Sequence, residues 1–329
     1  MSGPRPASRG ARSAAVDPGG TGRRLPAAAA ATPALELPEL RTIDVEGLPI
    51  AYRAWDGPRD RTFVLLHGLG ASHLVWVQVG AGLSGLGRVV APDLPGFGAT
   101  PLAGRSARLM DQRRAVSQLL RRLGDEPAIL VGNSMGGAVS ILQAAVEPAS
   151  VAGLVLTDSV YPWRPGWPPH PLVVLTFGLY RVPGVGERFM GWRLRRLAAE
   201  RLVRVSLSFL AADPRTIPDE VVTLLVEMAE ARRDDPAGPA AFLDATRSML
   251  RLGARPAASR RALSNVRCPV LVIHGRRDRL VPARYARAEL ARHPGWRATF
   301  FDDLGHIPQM EAPGRWLSAV ADWTAETFG

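Results

Sequence analysis

Six consecutive residues, Gly132-Asn133-Ser134-Met135-Gly136-Gly137, follow the apolar run Pro127-Ala128-Ile129-Leu130-Val131. A buried strand entering a sharp turn, with a helix starting at the serine, would hold the Ser134 hydroxyl out at the strand's carboxyl end. Gly132 and Gly136 supply the room, because a Cβ at either place would crowd the turn. A serine held in this way becomes a nucleophile when other groups converge on it. It needs a base to take its proton, a carboxylate to orient that base, and two N–H groups to hold an oxyanion.

Candidates for each part lie at strand ends. Asp278 follows Val272-Ile273-His274-Gly275-Arg276-Arg277, and His306 stands in Asp302-Asp303-Leu304-Gly305-His306. Ser134, Asp278 and His306 thus run in the order nucleophile, acid, base. Asp158 also directly follows an apolar run, Val151 to Thr157, and is the alternative acid. Asp302 and Asp303 sit too near His306 in sequence and read as turn residues. The oxyanion donors expected are the N–H of Met135, at the start of its helix, and of Leu69, after His67-Gly68. His67 is expected to hydrogen-bond within its own loop. Asp93-Leu94-Pro95-Gly96-Phe97-Gly98 reads as a shaped turn lining the pocket.

Other chemistries find little support. His73, His170, His274 and His293 have no metal-ligand spacing with each other. The chain has no lysine, hence no Gly-rich phosphate loop ending in Gly-Lys, and no dinucleotide fingerprint follows the first parallel strand. No cofactor and no metal are expected. The one cysteine, Cys268, enters an apolar strand beside Pro269 and reads as a small, buried or half-buried thiol.

These loops need a scaffold that brings strand ends to one edge. Phe63 to Leu66, Arg88 to Ala91, Ala128 to Val131, Val151 to Thr157, Val270 to Ile273 and Arg297 to Phe301 are short apolar runs. Runs apolar throughout suit strands covered on both faces, so an α/β fold with a mostly parallel central sheet flanked by helices is predicted. Thr42 to Val45 and Ile50 to Trp55 read as a strand pair ahead of it. Helices are predicted over Met135 to Glu147, over Ser106 to Leu123 with Met110, Val116, Leu119, Leu120 and Leu123 near one face, and from Pro313 onward. A Pro- and Trp-rich stretch, Tyr161 to Pro169, then opens a region of helical patterning near 171–181, 186–210, 218–233 and 239–252. The domain plan expected is a disordered tail at 1–38, a core at 39–159 and 266–329, and an inserted helical cap at 160–265.

Net charge is +11 over 329 residues, with every basic residue an arginine. The arginines are scattered without interleaved aromatics, which argues against nucleic acid as partner. No run approaches the roughly 20 apolar residues of a membrane span. Arg23-Arg24 ahead of Leu25-Pro26 and five alanines is only a weak match to an export signal. With a lone cysteine, a cytoplasmic location is expected.

Together the motifs resemble the α/β-hydrolase superfamily. The pieces that carry the resemblance are His67-Gly68-Leu69-Gly70, Asp93-Leu94-Pro95-Gly96-Phe97-Gly98, Gly132 to Gly137, Gly275-Arg276-Arg277-Asp278 with Val281-Pro282, and Gly305-His306 with Glu311-Ala312-Pro313. They span about 40–159 and 266–329. The resemblance implies a serine hydrolase with a Ser134-His306-Asp278 triad. Haloalkane dehalogenases and epoxide hydrolases of this fold use an aspartate where Ser134 stands. The elbow is also similar to that of carbon–carbon bond hydrolases acting on ring-fission products. Those usually have a longer glycine-rich loop than Leu69-Gly70-Ala71-Ser72 and an aromatic residue where Ile307 follows the histidine. A carboxylic ester of a small or medium apolar molecule is therefore the expected substrate, with Leu172-Val173-Val174-Leu175-Thr176-Phe177 suited to an apolar acyl group. Carbon–carbon hydrolysis, a non-catalytic ligand-binding member, and a lipid enzyme whose cap dips into a membrane surface are the other readings.

Overall fold

The computed structural model describes residues 35, 37–124, 127–164 and 167–329. Among these residues eight strands form one sheet: β1 (Arg41–Val45), β2 (Leu48–Trp55), β3 (Thr62–Leu66), β4 (Arg88–Pro92), β5 (Ala128–Asn133), β6 (Val151–Thr157), β7 (Val270–Gly275) and β8 (Arg297–Phe301). The spatial order is β1-β2-β4-β3-β5-β6-β7-β8. β1 and β2 pair antiparallel, as do β2 and β4, and every later pairing is parallel.

The all-apolar runs follow from burial on both faces. Phe63, Leu65, Ile129, Val131, Val155, Leu271 and Ile273 enter one core cluster, with Trp76, Leu83, Trp316 and Val320. Their neighbours Val64, Leu66, Leu130, Leu154, Leu156, Val270 and Val272 enter the other, with Val116, Val139 and Tyr285. Successive strand residues point to opposite faces, so each strand must be apolar at every position. The covering helices are α1 (Val77–Ser84), α2 (Leu109–Leu123), α3 (Met135–Val146), and, further along the chain, three that follow β7 and β8.

Among the described residues six α-helices lie between β6 and β7: α4 (Pro171–Arg181), α5 (Val185–Arg196), α6 (Ala199–Leu210), α7 (Asp219–Ala231), α8 (Gly238–Gly253) and α9 (Pro256–Ser264). After β7 come α10 (Ala283–Leu290), α11 (Pro308–Glu311) and α12 (Pro313–Phe328). Leu207 of α6 and Val221 of α7 join the first core cluster, and Ala241, Ala245 and Met249 of α8 join the second. α4 and α5 contribute Tyr180 and Met190 to a small satellite cluster with Leu243.

Three expectations differ from the fold. The helix expected over 186–210 is two helices, because Leu197 and Ala198 are extended and the Arg233 guanidinium binds the carbonyls of Leu194 and Leu197 at the break. α9 was not anticipated. In α2, Val116, Leu119 and Leu120 are buried as expected, but Leu109 takes the inward place expected of Met110, which is exposed. The tail expected at 1–38 lies outside the described residues except for Leu35, Leu37 and Pro38, of which the two leucines pack on the first core cluster.

Candidate active site

Ser134 sits between β5 and α3 with φ 53° and ψ −113°, a left-side conformation rare for a residue with a Cβ. Its surroundings leave no other path. A Cβ on Gly136 would lie 2.0 Å from the Leu66 carbonyl oxygen, and one on Gly132 would lie 2.5 Å from the Gly136 backbone. The Ser134 N–H donates to the Thr157 carbonyl at 3.1 Å, so the end of β6 fixes the turn. Strain of this kind costs on the order of 1–3 kcal/mol and persists where neighbours over-determine it.

Asp278 lies in the turn after β7. Its Oδ1 accepts the N–H groups of Leu280 and Val281 at 2.7 and 2.9 Å. Its Oδ2 lies 2.7 Å from His306 Nδ1. A carboxylate at that distance accepts a hydrogen bond from Nδ1–H, which keeps the proton on that nitrogen and leaves the Nε2 lone pair free to act as base. Burial would raise the Asp278 pKa, but the charges and hydrogen bonds of His306 and His274 outweigh it and hold the carboxyl below its ordinary value. His306 is fixed through its backbone: its N–H donates to Leu210 at 2.7 Å, and its carbonyl accepts from Asn133 Nδ2 at 3.1 Å. Asn133 is the residue before Ser134, so the elbow and the histidine loop are tied together. Exposure is 8% at Ser134, 7% at Asp278 and 2% at His306, so the three lie beneath the surface.

The loop holding Leu69 closes against the same point. A Cβ on Gly68 would stand 3.3 Å from Ser134 Cβ, so that loop passes directly over the elbow. Met135 is the first residue of α3, and its N–H has no acceptor within the helix. His67 behaves as expected of a loop residue. Leu94 N–H donates to its Nε2 at 2.9 Å, and its Nδ1 lies 2.8 Å from the Gly68 carbonyl, which requires the Nδ1–H tautomer. Burial pushes its pKa down. Asp93 accepts from His73 N, His73 Nδ1 and Ala99 N at 2.6, 2.9 and 2.7 Å, which fixes its turn. Asp302 and Asp303 pair with Arg276 and Arg315 at the surface. Cys268 is half-buried, and burial lifts its thiol to about 11.

Asp158 does not bond His306. Its Oδ1 accepts Gly275 N–H at 2.9 Å, and the same atom lies 3.5 Å from His274 Nε2, which is equally 3.5 Å from Asp278 Oδ2. Burial, then the Asp278 charge, raises the Asp158 pKa well above the ordinary carboxyl range. Asp158, His274 and Asp278 offer potential ligand atoms within 4.8 Å of one another. His274 Nε2, however, lies 2.7 Å from the Val281 carbonyl, a bond that needs a proton on that nitrogen. A nitrogen so protonated has no lone pair for a cation.

Sequence patterning did not single out Asn133, His274 or Glu311 as site residues. Glu311 ties the histidine loop to the segment after α6. Its Oε1 accepts Gly305 N–H at 2.8 Å, and its Oε2 accepts Ala212 and Asp213 N–H at 2.7 and 3.4 Å. Burial raises its pKa against those bonds. A glutamate five residues past His306, just before a proline-led helix, was the one available signal.

Residues 61–313 match the family model described as the alpha/beta hydrolase fold. The chain is 32% identical over 258 residues to a pimeloyl-[acyl-carrier protein] methyl ester esterase of Aromatoleum aromaticum, covering 76% of this chain and 92% of that one. It is 31% identical over 277 residues to a 2-hydroxymuconate semialdehyde hydrolase of Pseudomonas sp., covering 80% and 86%. A solved structure of a putative lipase from Acinetobacter baumannii superposes with a TM-score of 0.70 at 19% identity, covering 88% and 91%. The sheet order, the parallel pairings and the family match agree, and the chain belongs to the α/β-hydrolase fold family.

Proposed function

We propose that this protein is a serine hydrolase that cleaves a carboxylic ester of a small or medium apolar molecule through an acyl-enzyme. Ser134 attacks the carbonyl while His306 Nε2 takes its proton. Asp278 holds the imidazole and stabilises the imidazolium that forms. The N–H groups of Leu69 and Met135 receive the oxyanion. His306 then gives the proton to the leaving alcohol and, in the second half, activates water. The chemistry calls for no metal or cofactor. The helices between β6 and β7 act as a cap, with Phe242 of α8 set against Gly70 of the oxyanion loop, where an added Cβ would meet its ring at 2.9 Å.

The observation that carries this reading is the 2.7 Å Asp278–His306 contact beside a strained, glycine-flanked serine. The esterase relative supports ester cleavage, as does the short Leu69-Gly70-Ala71-Ser72 loop. The muconate semialdehyde hydrolase relative favours the second reading, carbon–carbon cleavage of a ring-fission product. Turnover of p-nitrophenyl esters from acetate to palmitate, beside consumption of a ring-fission dienol, separates the two. Ser134→Ala is expected to lower ester kcat by on the order of 10⁴–10⁶. Undiminished ester turnover in that variant would overturn the mechanism.

A further inference from the structure

α4 is apolar on both sides, yet only one side is covered. Val173 and Tyr180 are buried and Phe177 packs on the second core cluster, all three at helical spacing, and Tyr180 meets Phe242 of α8 with ring centroids 5.3 Å apart. On the rest of the helix, Leu172, Val174 and Leu175 are 51%, 48% and 61% exposed. A helix apolar all round is normally buried in a core or in lipid. α5 packs on α8 as well, through Met190 and Leu243, and Arg247 of α8 binds Glu187 of α5 at 2.8 Å. Opposite Met190, the residues Val185, Arg188, Trp192 and Arg195 recur at spacings of three and four and so share one face. Trp192 is 49% exposed.

Although arginines are scattered along the whole sequence, acidic residues are scarce on this part of the chain. Residues 160–210 hold eight arginines and two glutamates, a net +6 of the chain's +11. Both glutamates are already paired, Glu187 with Arg247 and Glu200 with Arg204, each at 2.8 Å. Among the described residues Arg181, Arg188, Arg195 and Arg196 have no acidic partner. Exposed leucines and a valine on one helix, with unpaired arginines and a tryptophan on the next, both packed on α8, are the composition of an element that lies in a membrane interface. A second copy is disfavoured as occupant, because it would bring the same positive charge against this one. A neutral apolar partner would leave the arginines unmatched.

We infer that the outward face of the α4–α5 hairpin docks on an anionic lipid surface, with Leu172, Val174 and Leu175 entering the acyl boundary and Arg188 and Arg195 meeting lipid phosphates. At 11 residues, α4 lies in the interface and does not cross it. Among the described residues no helix is long and apolar enough to span a membrane. Two side chains in series, Tyr180 of α4 and Phe242 of α8, lead from the hairpin to Gly70 beside the candidate site. This inference goes beyond the acyl chemistry and does not depend on it.

Co-sedimentation of the full chain tests it, with vesicles of phosphatidylcholine alone and of phosphatidylcholine containing about one quarter phosphatidylglycerol. The protein is expected to pellet with the mixed vesicles, not with the neutral ones, and to be released at about 0.5 M salt. Arg188→Gln with Arg195→Gln is expected to lower partitioning on the order of thirtyfold, about fivefold per arginine. Leu172→Ser with Leu175→Ser removes the apolar half and is expected to lower it as well. Ser134→Ala should pellet like the unaltered protein, which separates this test from that of the mechanism. Equal binding to neutral vesicles, or unchanged binding in both double variants, would refute the docking. A dimer that forms without lipid and is lost in Leu172→Ser/Leu175→Ser would assign the face to a second copy instead.

Discussion

A methyl group added at Gly136 would lie 2.0 Å from the Leu66 carbonyl oxygen, and one at Gly275 would lie 2.0 Å from that of Gly305. At Gly178, within α4, the same methyl would meet nothing within 4 Å. The carboxyl edge of the sheet and the α4–α5 hairpin are therefore specified differently. At the edge, four loops cross with backbone against backbone, and the residue type at each crossing is set by space. In the hairpin, one face is set by packing on α8, and space limits the outward positions very little. Side chains there are free to be chosen for what lies outside the fold. The edge tolerates almost no change and holds the proposed chemistry, while the hairpin tolerates change and carries the proposed docking face.

The largest effect that could break this comparison is expected at the acid. Asp278→Asn should lower kcat by about 10⁴, because an amide at the Oδ2 position no longer selects the Nδ1–H tautomer of His306. Asp158→Asn should leave the rate near that of the unaltered protein, because Asp158 contacts Gly275 and not His306. Steady-state kinetics on both variants decides the matter. A greater loss from Asp158→Asn would exchange their roles.

Next in size is the elbow itself. Gly136→Ala should destabilise the fold by about 3 kcal/mol or more, since the added methyl meets a backbone oxygen that has no route of retreat. Urea unfolding measures it. A cost below about 1 kcal/mol would mean that the edge is looser than its crossings imply.

How the sequence displays these two regions follows from the same contrast. The strands and the loops of the candidates Ser134, Asp278 and His306 were legible because burial on both faces forces continuous apolar runs, and backbone crossings force a glycine within three residues of each candidate. The competition between Asp158 and Asp278 was not legible. Both follow strands, and only the spatial pairing of β6 with β7 puts Asp158 on Gly275 and leaves His306 to Asp278. Glu311 was hidden for a related reason, since its partners Ala212 and Asp213 are about a hundred residues away. The helix break at Leu197 depends on Arg233, which no local pattern announces. The exposure of α4 was invisible too, because its apolar spacing reads the same whether its outer face meets core, lipid or water.

A smaller effect at Asp158 sharpens the account of the edge through pH. Its carboxyl is held above its ordinary pKa, first by burial and then by the neighbouring Asp278 charge. Below about pH 4 the folded and unfolded chains both keep the proton, and the site costs nothing. As pH rises past that value the unfolded chain releases its proton first, so the contribution of Asp158 to stability is lost progressively until the folded pKa is passed. Asparagine has no proton to release, and its Oδ1 can still accept from Gly275. Asp158→Asn should therefore match the unaltered protein near pH 4 and exceed it in stability at pH 7. Urea midpoints at the two pH values check the sign, and a variant less stable at pH 7 would show that Asp158 is ionised and favourably paired in the fold.

The smallest predicted effect concerns the hairpin, and it runs in the opposite direction to that at Gly136. Gly178 lies in the interior of α4, on its exposed side, with an ordinary negative φ and open space where a Cβ would stand. Glycine there costs about 0.5–1 kcal/mol relative to alanine, because the unfolded chain gives up more freedom on forming the helix. Gly178→Ala should raise stability by about that amount, read as a higher urea midpoint at unchanged slope. Vesicle binding should be kept, since the outer face stays apolar. The same substitution type would then destabilise the sheet edge and stabilise the hairpin within one chain. If Gly178→Ala instead kept its stability gain but lost vesicle binding, the outer face would need close backbone approach at Gly178. A tightly packed protein partner demands such contact, whereas a fluid lipid surface does not.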